Sequence, residues 1–167
     1  MEQLRLIFYF MLVATTLVSF SSTQIFLDNE RFYYIKNALD SSYLRVEKSG
    51  SPCQGIGSVG TSSFLNTSSI AYRWKYIVFM EEVTFLDIEW TEMQLHLNQL
   101  SRYASAGRGS HCLPLYRRLN VTEVSGNLYR LQDVESELCL ASQGNGSQVL
   151  WDICNQFWSQ QWEFIMV

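Results

Sequence analysis

SQQWEFI, residues 159–165, contains a pattern that also occurs earlier in the chain. Its last four residues, 162–165, are a tryptophan, a charged residue, an aromatic residue and an isoleucine, and WKYI at 74–77 has the same order. The two tryptophans are 88 residues apart, which is twice 44, and Leu119 stands in the place of the tryptophan about halfway between them. This spacing predicts three repeated units of about 44 residues.

Short β-strands in pairs account for most of the remaining sequence. Aromatic and β-branched residues alternate with polar ones in short runs, and Asn, Asp, Ser and Gly separate these runs. One hairpin pattern occurs at 32–47, 83–97 and 128–142: a strand, a polar turn, and a second strand with a Leu-x-hydrophobic triplet. Because such a unit cannot bury its apolar face alone, we predict an all-β fold in which three units close a barrel around a threefold axis.

The first residues predict a secretory signal. Residues 1–5 carry one basic side chain, 6–18 are almost wholly apolar, and small residues follow at 19–23. The apolar run is shorter than the ~20 residues that cross a bilayer as a helix, which favours a cleaved leader over a retained anchor. We therefore expect cleavage between Ser21 and Gln24, and we take residues 1–23 as the signal peptide that is removed. Residues 24–167 would then form a single secreted domain with no further membrane span.

Charge and cysteine content narrow the classes of partner and site. The formal net charge is −4 and the chain has no Lys/Arg cluster, so we expect neither nucleic acid nor an anionic membrane surface as partner. Four cysteines in a secreted chain predict two disulfides, and no Cys or His spacing indicates a metal site. No cofactor is predicted. Three N-glycosylation acceptors, which would be exposed if used, are Asn66, Asn120 and Asn145.

The third unit resembles the ricin-type lectin repeat. CLASQGNGSQVLWDIC at 139–154, followed by SQQWEF, is similar to a pattern in which Cys-Leu opens a hairpin, an apolar stretch with Trp leads to a second Cys, and Gln-x-Trp closes the unit. The resemblance is good over 128–165, fair over 32–79 and poor in between. It implies a ricin B-like β-trefoil whose repeats span about 30–79, 80–124 and 125–167. It also implies that Cys139 pairs with Cys154, which leaves Cys53 to pair with Cys112.

A sugar site in this family needs an aromatic face for stacking and polar groups that orient the hydroxyls. The resemblance places the aromatic residue at Trp151 and the amide at Gln160. The family's Asp falls on Ala141 in the third repeat, and on Arg45 and His96 in the other two, so no repeat keeps this carboxylate. A weakened site is therefore expected, because charge-assisted hydrogen bonds are the stronger ones.

Asp152 and Asn155 are candidates for replacement polar groups in that site. Each sugar-binding candidate also has a structural interpretation, in which Trp151 is packed inside and Gln160 braces the backbone of its own repeat. A glycan on Asn145 would crowd the pocket.

The other tryptophans and the histidines have their own interpretations. Trp74 and Trp162 are predicted to lie in the core. Trp158 belongs to a second Gln-x-Trp, which we interpret as a chance recurrence of the pattern. We expect the Trp158 side chain to pack over the barrel end, with an exposed contact as the alternative. His96 and His111 have no motif around them and are interpreted as surface or core histidines.

The first functional hypothesis is a secreted lectin-like protein that binds extracellular glycans or glycoproteins. No sequence motif of a serine hydrolase, a zinc protease or a phosphate-binding loop is present, so no enzymatic activity is predicted. The alternative is a trefoil that has lost its sugar site and acts as an extracellular interaction or signalling ligand, for instance of a cell-surface receptor. A third class is protease inhibition, since 25–35 resembles the first strand of Kunitz-type plant trefoil inhibitors; the closing Gln-x-Trp argues against it.

Overall fold

A computed structural model of the chain describes residues 27–47, 57–79, 83–88, 93–97, 101–108 and 118–167. The predicted leader, Cys53, Cys112 and His111 lie outside these residues. The described part contains strands β1 Phe32–Asn37, β2 Tyr43–Val46, β3 Gly57–Ser62, β4 Trp74–Phe79, β5 Val83–Ile88, β6 Met93–Leu97, β7 Ala104–Arg108, β8 Leu119–Ser125, β9 Leu128–Asp133, β10 Leu138–Ala141, β11 Leu150–Ile153 and β12 Trp162–Met166. Short 3-10 turns span Ile70–Tyr72 and Trp158–Gln160. Neither of these turns is long or apolar enough to span a membrane.

Six strands close into a barrel. β1 pairs with β4 and β12, β5 pairs with β4 and β8, and β9 pairs with β8 and β12, all antiparallel. The ring therefore has no open edge. Each of the three four-strand units contributes its first and last strand, which confirms the predicted all-β trefoil architecture.

The middle strands of each unit form a hairpin outside the barrel: β2 with β3, β6 with β7, and β10 with β11. Val149, just before β11, joins all three hairpins through its backbone. Its N–H donates to the Val59 oxygen at 2.9 Å, and its oxygen accepts from the Ala104 N–H at 2.7 Å. The first and second hairpins also pair directly through β3 and β7, so each hairpin contacts the other two.

Strand register fixes the correspondence between the units. Trp74 is paired with Ile88, Leu119 with Asp133, and Trp162 with Asn37. In each case, the residue that opens the last strand of one unit faces the residue that ends the first strand of the next. The three closing positions are thus equivalent, and Leu119 stands where the other units have tryptophan, as the spacing predicts.

The closing residues belong to the core, as predicted. Trp74, Trp162 and Leu119 are fully or almost fully buried. The indole Nε1 of Trp74 donates to the Leu44 oxygen at 3.1 Å, and that of Trp162 donates to the Leu140 oxygen at 3.0 Å. Each tryptophan therefore fixes the second strand of its own unit while its ring fills the barrel, and its one polar atom is satisfied.

Candidate functional site

Trp151 does not offer a face to a sugar. Its side chain is 0% exposed, and its Nε1 donates to the main-chain oxygen of His96 at 3.3 Å. Side chains alternate across a strand, and in β11 this alternation turns Trp151 inward and the half-buried Asp152 outward. The prediction of Trp151 as a stacking surface is therefore wrong, and its interpretation as a packed residue is right.

The physical reason is the space available beneath the hairpins. Trp151 is paired with Leu140, and the positions paired with the equivalent Leu44 and Leu95 hold Thr61 and Ala106. Trp151, Thr61 and Ala106 are all fully buried. Two small side chains thus leave room for one indole ring, which extends towards the second unit. Because protein cores are close-packed, a large ring in one unit is favourable where the equivalent positions of the other two units hold small side chains.

Gln160 is also buried, with 1% of its surface exposed. Its Oε1 accepts a hydrogen bond from the Asn155 N–H at 2.8 Å, and its Nε2 donates to the Ile153 oxygen at 2.9 Å. Both ends of the amide hold the backbone of its own repeat. The prediction that Gln160 contacts sugar is therefore wrong, and the bracing role is the one observed.

Asp152 and Asn155 remain partly accessible. Asp152 Oδ1 accepts from the Ile153 N–H at 2.8 Å, and Asn155 Oδ1 accepts from the Phe157 N–H at 2.8 Å. Asn155 Nδ2 also donates to the Ile153 oxygen at 3.3 Å. These contacts fix the two side chains beside an exposed segment, and the prediction that they contact sugar stays a prediction.

The positions aligned with the family's Asp do not form a sugar site. Ala141 is buried, and so is His96, whose Nδ1 lies 3.1 Å from the Gln94 oxygen; His96 is thus a core histidine. Arg45 forms an ion pair with Glu47 at 2.8 Å. Sequence reasoning overlooked Glu47, yet both of its carboxylate oxygens have donors, since Ser58 Oγ lies 3.2 Å from Oε2.

The surface that sequence reasoning undervalued is the loop from Asn155 to Trp158, called here the aromatic loop. Phe157 is 69% exposed and Trp158 is 59% exposed, and the nearby Ile153 is 71% exposed. The expectation that Trp158 packs over the barrel end is therefore wrong, and the exposed alternative is the observed one. The inward positions after this loop are taken by Gln160 and the buried Gln161. The aromatic rings consequently face solvent.

Hydrogen bonds fix the backbone of the aromatic loop and of the residue that follows it. Gln161 Nε2 donates to the Gln156 oxygen at 3.0 Å, and the N–H groups of Gln160 and Gln161 donate to the oxygens of Phe157 and Trp158. Just beyond the loop, the Ser159 oxygen accepts from Asn37 Nδ2 and from the Ser142 N–H, each at 2.9 Å. The loop is thus anchored to the first unit as well as to its own.

A disulfide precedes the aromatic loop. Cys139 in β10 is bonded to Cys154, as the resemblance implied, and the two Cα atoms are 5.0 Å apart. The bond joins the start of the loop to a fully buried position of the hairpin. Within the residues that the structure describes, no group of three or more His, Cys, Asp or Glu side chains is arranged to hold a metal ion.

Solved structures with the same architecture include a ricin B-like lectin, a second saccharide-bound protein and part of an enzyme. The ricin B-like lectin of Macrolepiota procera, in complex with lactose, is 13% identical; the match covers 84% of this chain and 99% of the lectin, with a TM-score of 0.65. SeviL bound to asialo-GM1 saccharide is 14% identical over 82% of this chain and 98% of its own, with a TM-score of 0.58. The GlcNAcα1-4Gal-releasing endo-β-galactosidase of Clostridium perfringens is 16% identical over 82% of this chain but only 32% of the enzyme, with a TM-score of 0.67.

No protein-family model and no curated protein matches the sequence. At these identities the solved structures show the fold alone. The chain has a β-trefoil fold, which a ricin B-like lectin shares over nearly its whole length and which the endo-β-galactosidase carries over about a third of its length.

Proposed function

We propose that this ricin-type β-trefoil is a secreted, lectin-like protein that binds glycans weakly through its aromatic loop. The observation that carries the proposal is the display of two exposed rings, Phe157 and Trp158, on a backbone fixed by Gln160 and Gln161. The exposed part of an aromatic side chain contributes nothing to the burial that stabilises the fold. A backbone that holds two of them in place has already lost the entropy that binding would otherwise cost.

The chemistry of the loop suits the apolar face of a sugar ring. Flat aromatic surfaces provide the contact area, and a few fixed polar groups orient the hydroxyls. Asp152 uses Oδ1 for the Ile153 N–H, which leaves its other oxygen as an acceptor on the outward side of β11. Because this carboxylate stands outside the family's usual position, we propose an altered specificity and low affinity.

Two of the neighbouring folds support glycan as the ligand class. One is a lectin in complex with lactose, and the other is bound to the asialo-GM1 saccharide. For this chain, glycan or glycoprotein as partner is a proposal, and secretion rests on the leader-like residues 1–23.

A glycan array with the secreted, purified chain tests the proposal. The variant Phe157→Ala/Trp158→Ala removes both rings, and Phe64→Ala serves as matched control because Phe64 is equally exposed but lies in the first unit. We expect the unaltered chain and the control to bind the same glycans and the double variant to lose at least tenfold in affinity. No binding by the unaltered chain would exclude a lectin function. Equal binding by the double variant would place the site elsewhere.

A second candidate is an extracellular protein-interaction role without sugar recognition. Ile153 favours it, because this aliphatic side chain is 71% exposed beside the aromatic loop, where a sugar site would place a polar group. Binding to a glycoprotein partner separates the two functions. A lectin loses the partner when its glycans are removed enzymatically, whereas an interaction protein retains it and loses it on Ile153→Ser.

A further inference from the structure

Phe64 is the most exposed of the large hydrophobic residues that the structure describes, at 72%. It lies in the connection between β3 and β4, two residues before Asn66, which opens the glycosylation triplet Asn-Thr-Ser. The other two triplets have Arg118 and Gln143 at the corresponding position. Only one of the three acceptor asparagines therefore follows an aromatic residue at this distance.

The ring and the acceptor amide are both open to solvent in this connection. Phe64 and Asn66 are exposed, and Leu65 between them is half-buried. Because a single residue separates them, the two Cα atoms lie within about 7 Å of each other whatever the backbone conformation. Both ends of the segment are fixed, since Ser62 Oγ lies 3.2 Å from the Phe64 N–H and the Ser69 N–H donates to the Asn66 oxygen at 3.0 Å.

The side-chain amide of Asn66 is oriented by its oxygen. Asn66 Oδ1 accepts a hydrogen bond from the Ser68 N–H at 3.1 Å, and Nδ2 donates to no group of the described residues. By contrast, Nδ2 of Asn120 faces Gln132 Oε1 across a strand pair at 3.5 Å. The oxygen of Asn145 accepts from the Ser63 N–H at 2.6 Å and ties down a turn of the third unit. Asn66 thus combines a free Nδ2 with an adjacent exposed ring.

We infer that Asn66 carries an N-linked glycan whose first N-acetylglucosamine packs its apolar face on the ring of Phe64. The modification joins Asn66 Nδ2 to C1 of the sugar, releases the Nδ2 proton, and breaks the bond from C1 to the diphosphate of a lipid-linked oligosaccharide donor in the secretory pathway. Stacking on the ring shields an aromatic surface that is otherwise in water. Phe64 is then covered by the protein's own glycan.

This inference is independent of the proposed lectin function, because it concerns a glycan attached to the chain and needs only passage through the secretory pathway. It assigns different roles to the two most exposed aromatic sites among the described residues. Phe64 would contact the glycan of its own loop, and the aromatic loop would remain open to an external ligand.

A four-variant cycle tests the inference in the full chain secreted from eukaryotic cells. Peptide mass spectrometry measures occupancy of Asn66, and thermal unfolding is measured for the unaltered chain, Phe64→Ala, Asn66→Gln and the double variant. We expect Asn66 to be occupied and Phe64→Ala to lower Tm by about 2–4 °C when the glycan is present, the shift for one aromatic contact in a chain of this size. In the Asn66→Gln background, the same substitution should leave Tm unchanged.

Two further measurements sharpen the test. Enzymatic trimming of the glycan to its first sugar should retain the Phe64-dependent shift, because only that sugar contacts the ring. Asn120→Gln is the matched control and should leave the Phe64-dependent shift intact. An unoccupied Asn66, an equal effect of Phe64→Ala in both backgrounds, or loss of the shift on trimming would overturn the inference.

Discussion

The indole Nε1 of Trp151, in the third unit, lies 3.3 Å from the main-chain oxygen of His96, in the second unit, and donates a hydrogen bond to it. The ring itself is fully buried, and the equivalent positions of the other two units hold the small residues Thr61 and Ala106. One side chain thus fills space that three units share, and the bond ties two of these units together.

Trp151→Ala is expected to destabilise the fold by about 3–5 kcal/mol, because it removes a buried ring and leaves a cavity between units. Trp151→Phe keeps much of the apolar volume and loses the donor, so its cost should be smaller. Denaturant unfolding measures both, with the exposed Trp158→Ala as control, for which we expect a change within about 0.5 kcal/mol. A loss in Trp151→Ala no larger than in the control would contradict the packing role.

Gln160→Ala is expected to weaken glycan binding although Gln160 is buried. The substitution leaves the Asn155 N–H and the Ile153 oxygen without their side-chain partner, at a cost of about 1–3 kcal/mol in unfolding free energy. The aromatic loop then loses its fixed backbone. Gln156→Ala is the matched control, since Gln156 contributes only its main-chain oxygen to the brace. Titration with the best glycan from the array should show weaker binding for Gln160→Ala alone.

Removal of the Cys139–Cys154 disulfide is expected to cost about 3 kcal/mol, because the bond closes a short loop in the unfolded chain. Cys139→Ala/Cys154→Ala is the suitable variant, since Cys139 is fully buried and a polar replacement would add a desolvation cost. Chemical unfolding with and without the bond gives the difference. An unchanged midpoint and slope would show that the hairpin and the strand register alone hold the aromatic loop.

The fold could be predicted from the sequence because its determinants repeat. Trp74 and Trp162 share a pattern and a spacing, and the strand register places them and Leu119 at equivalent positions. Three imperfect copies of one unit indicate a threefold architecture even though one copy has diverged in sequence.

The candidate site could not be predicted in the same way. Whether Trp151 faces in or out depends on which residues of β11 point inward, and a shift of one residue reverses the answer. Its burial further requires the small side chains of Thr61 and Ala106, which are distant in sequence and brought together only by the closed barrel. The exposure of Phe157 and Trp158 has a similar origin, because the neighbouring Gln160 and Gln161 occupy the inward positions.

The last prediction concerns alkaline pH and the aromatic cluster around Phe164. The ring of Phe164 meets those of Tyr33, Tyr76 and Tyr129 edge-on, with centroids 5.6, 6.5 and 5.3 Å apart. Burial raises the pKa of Tyr33 and of Tyr129 above the ordinary 10.0, and the charge of Glu123 raises the pKa of Tyr129 further. The folded protein therefore keeps these phenols neutral at a pH where the unfolded chain ionises them.

Stability from this cluster should be complete below about pH 10 and should fall as the pH rises from there towards the folded-state pKa values, because ionisation then favours the unfolded chain. Tyr129→Phe removes one of the two groups and should make the unfolding free energy less dependent on pH between about 9 and 11. Tyr33 is less suitable, since its hydroxyl accepts from the Asp28 N–H at 2.8 Å. A slope that Tyr129→Phe does not alter would show that this phenol ionises alike in both states.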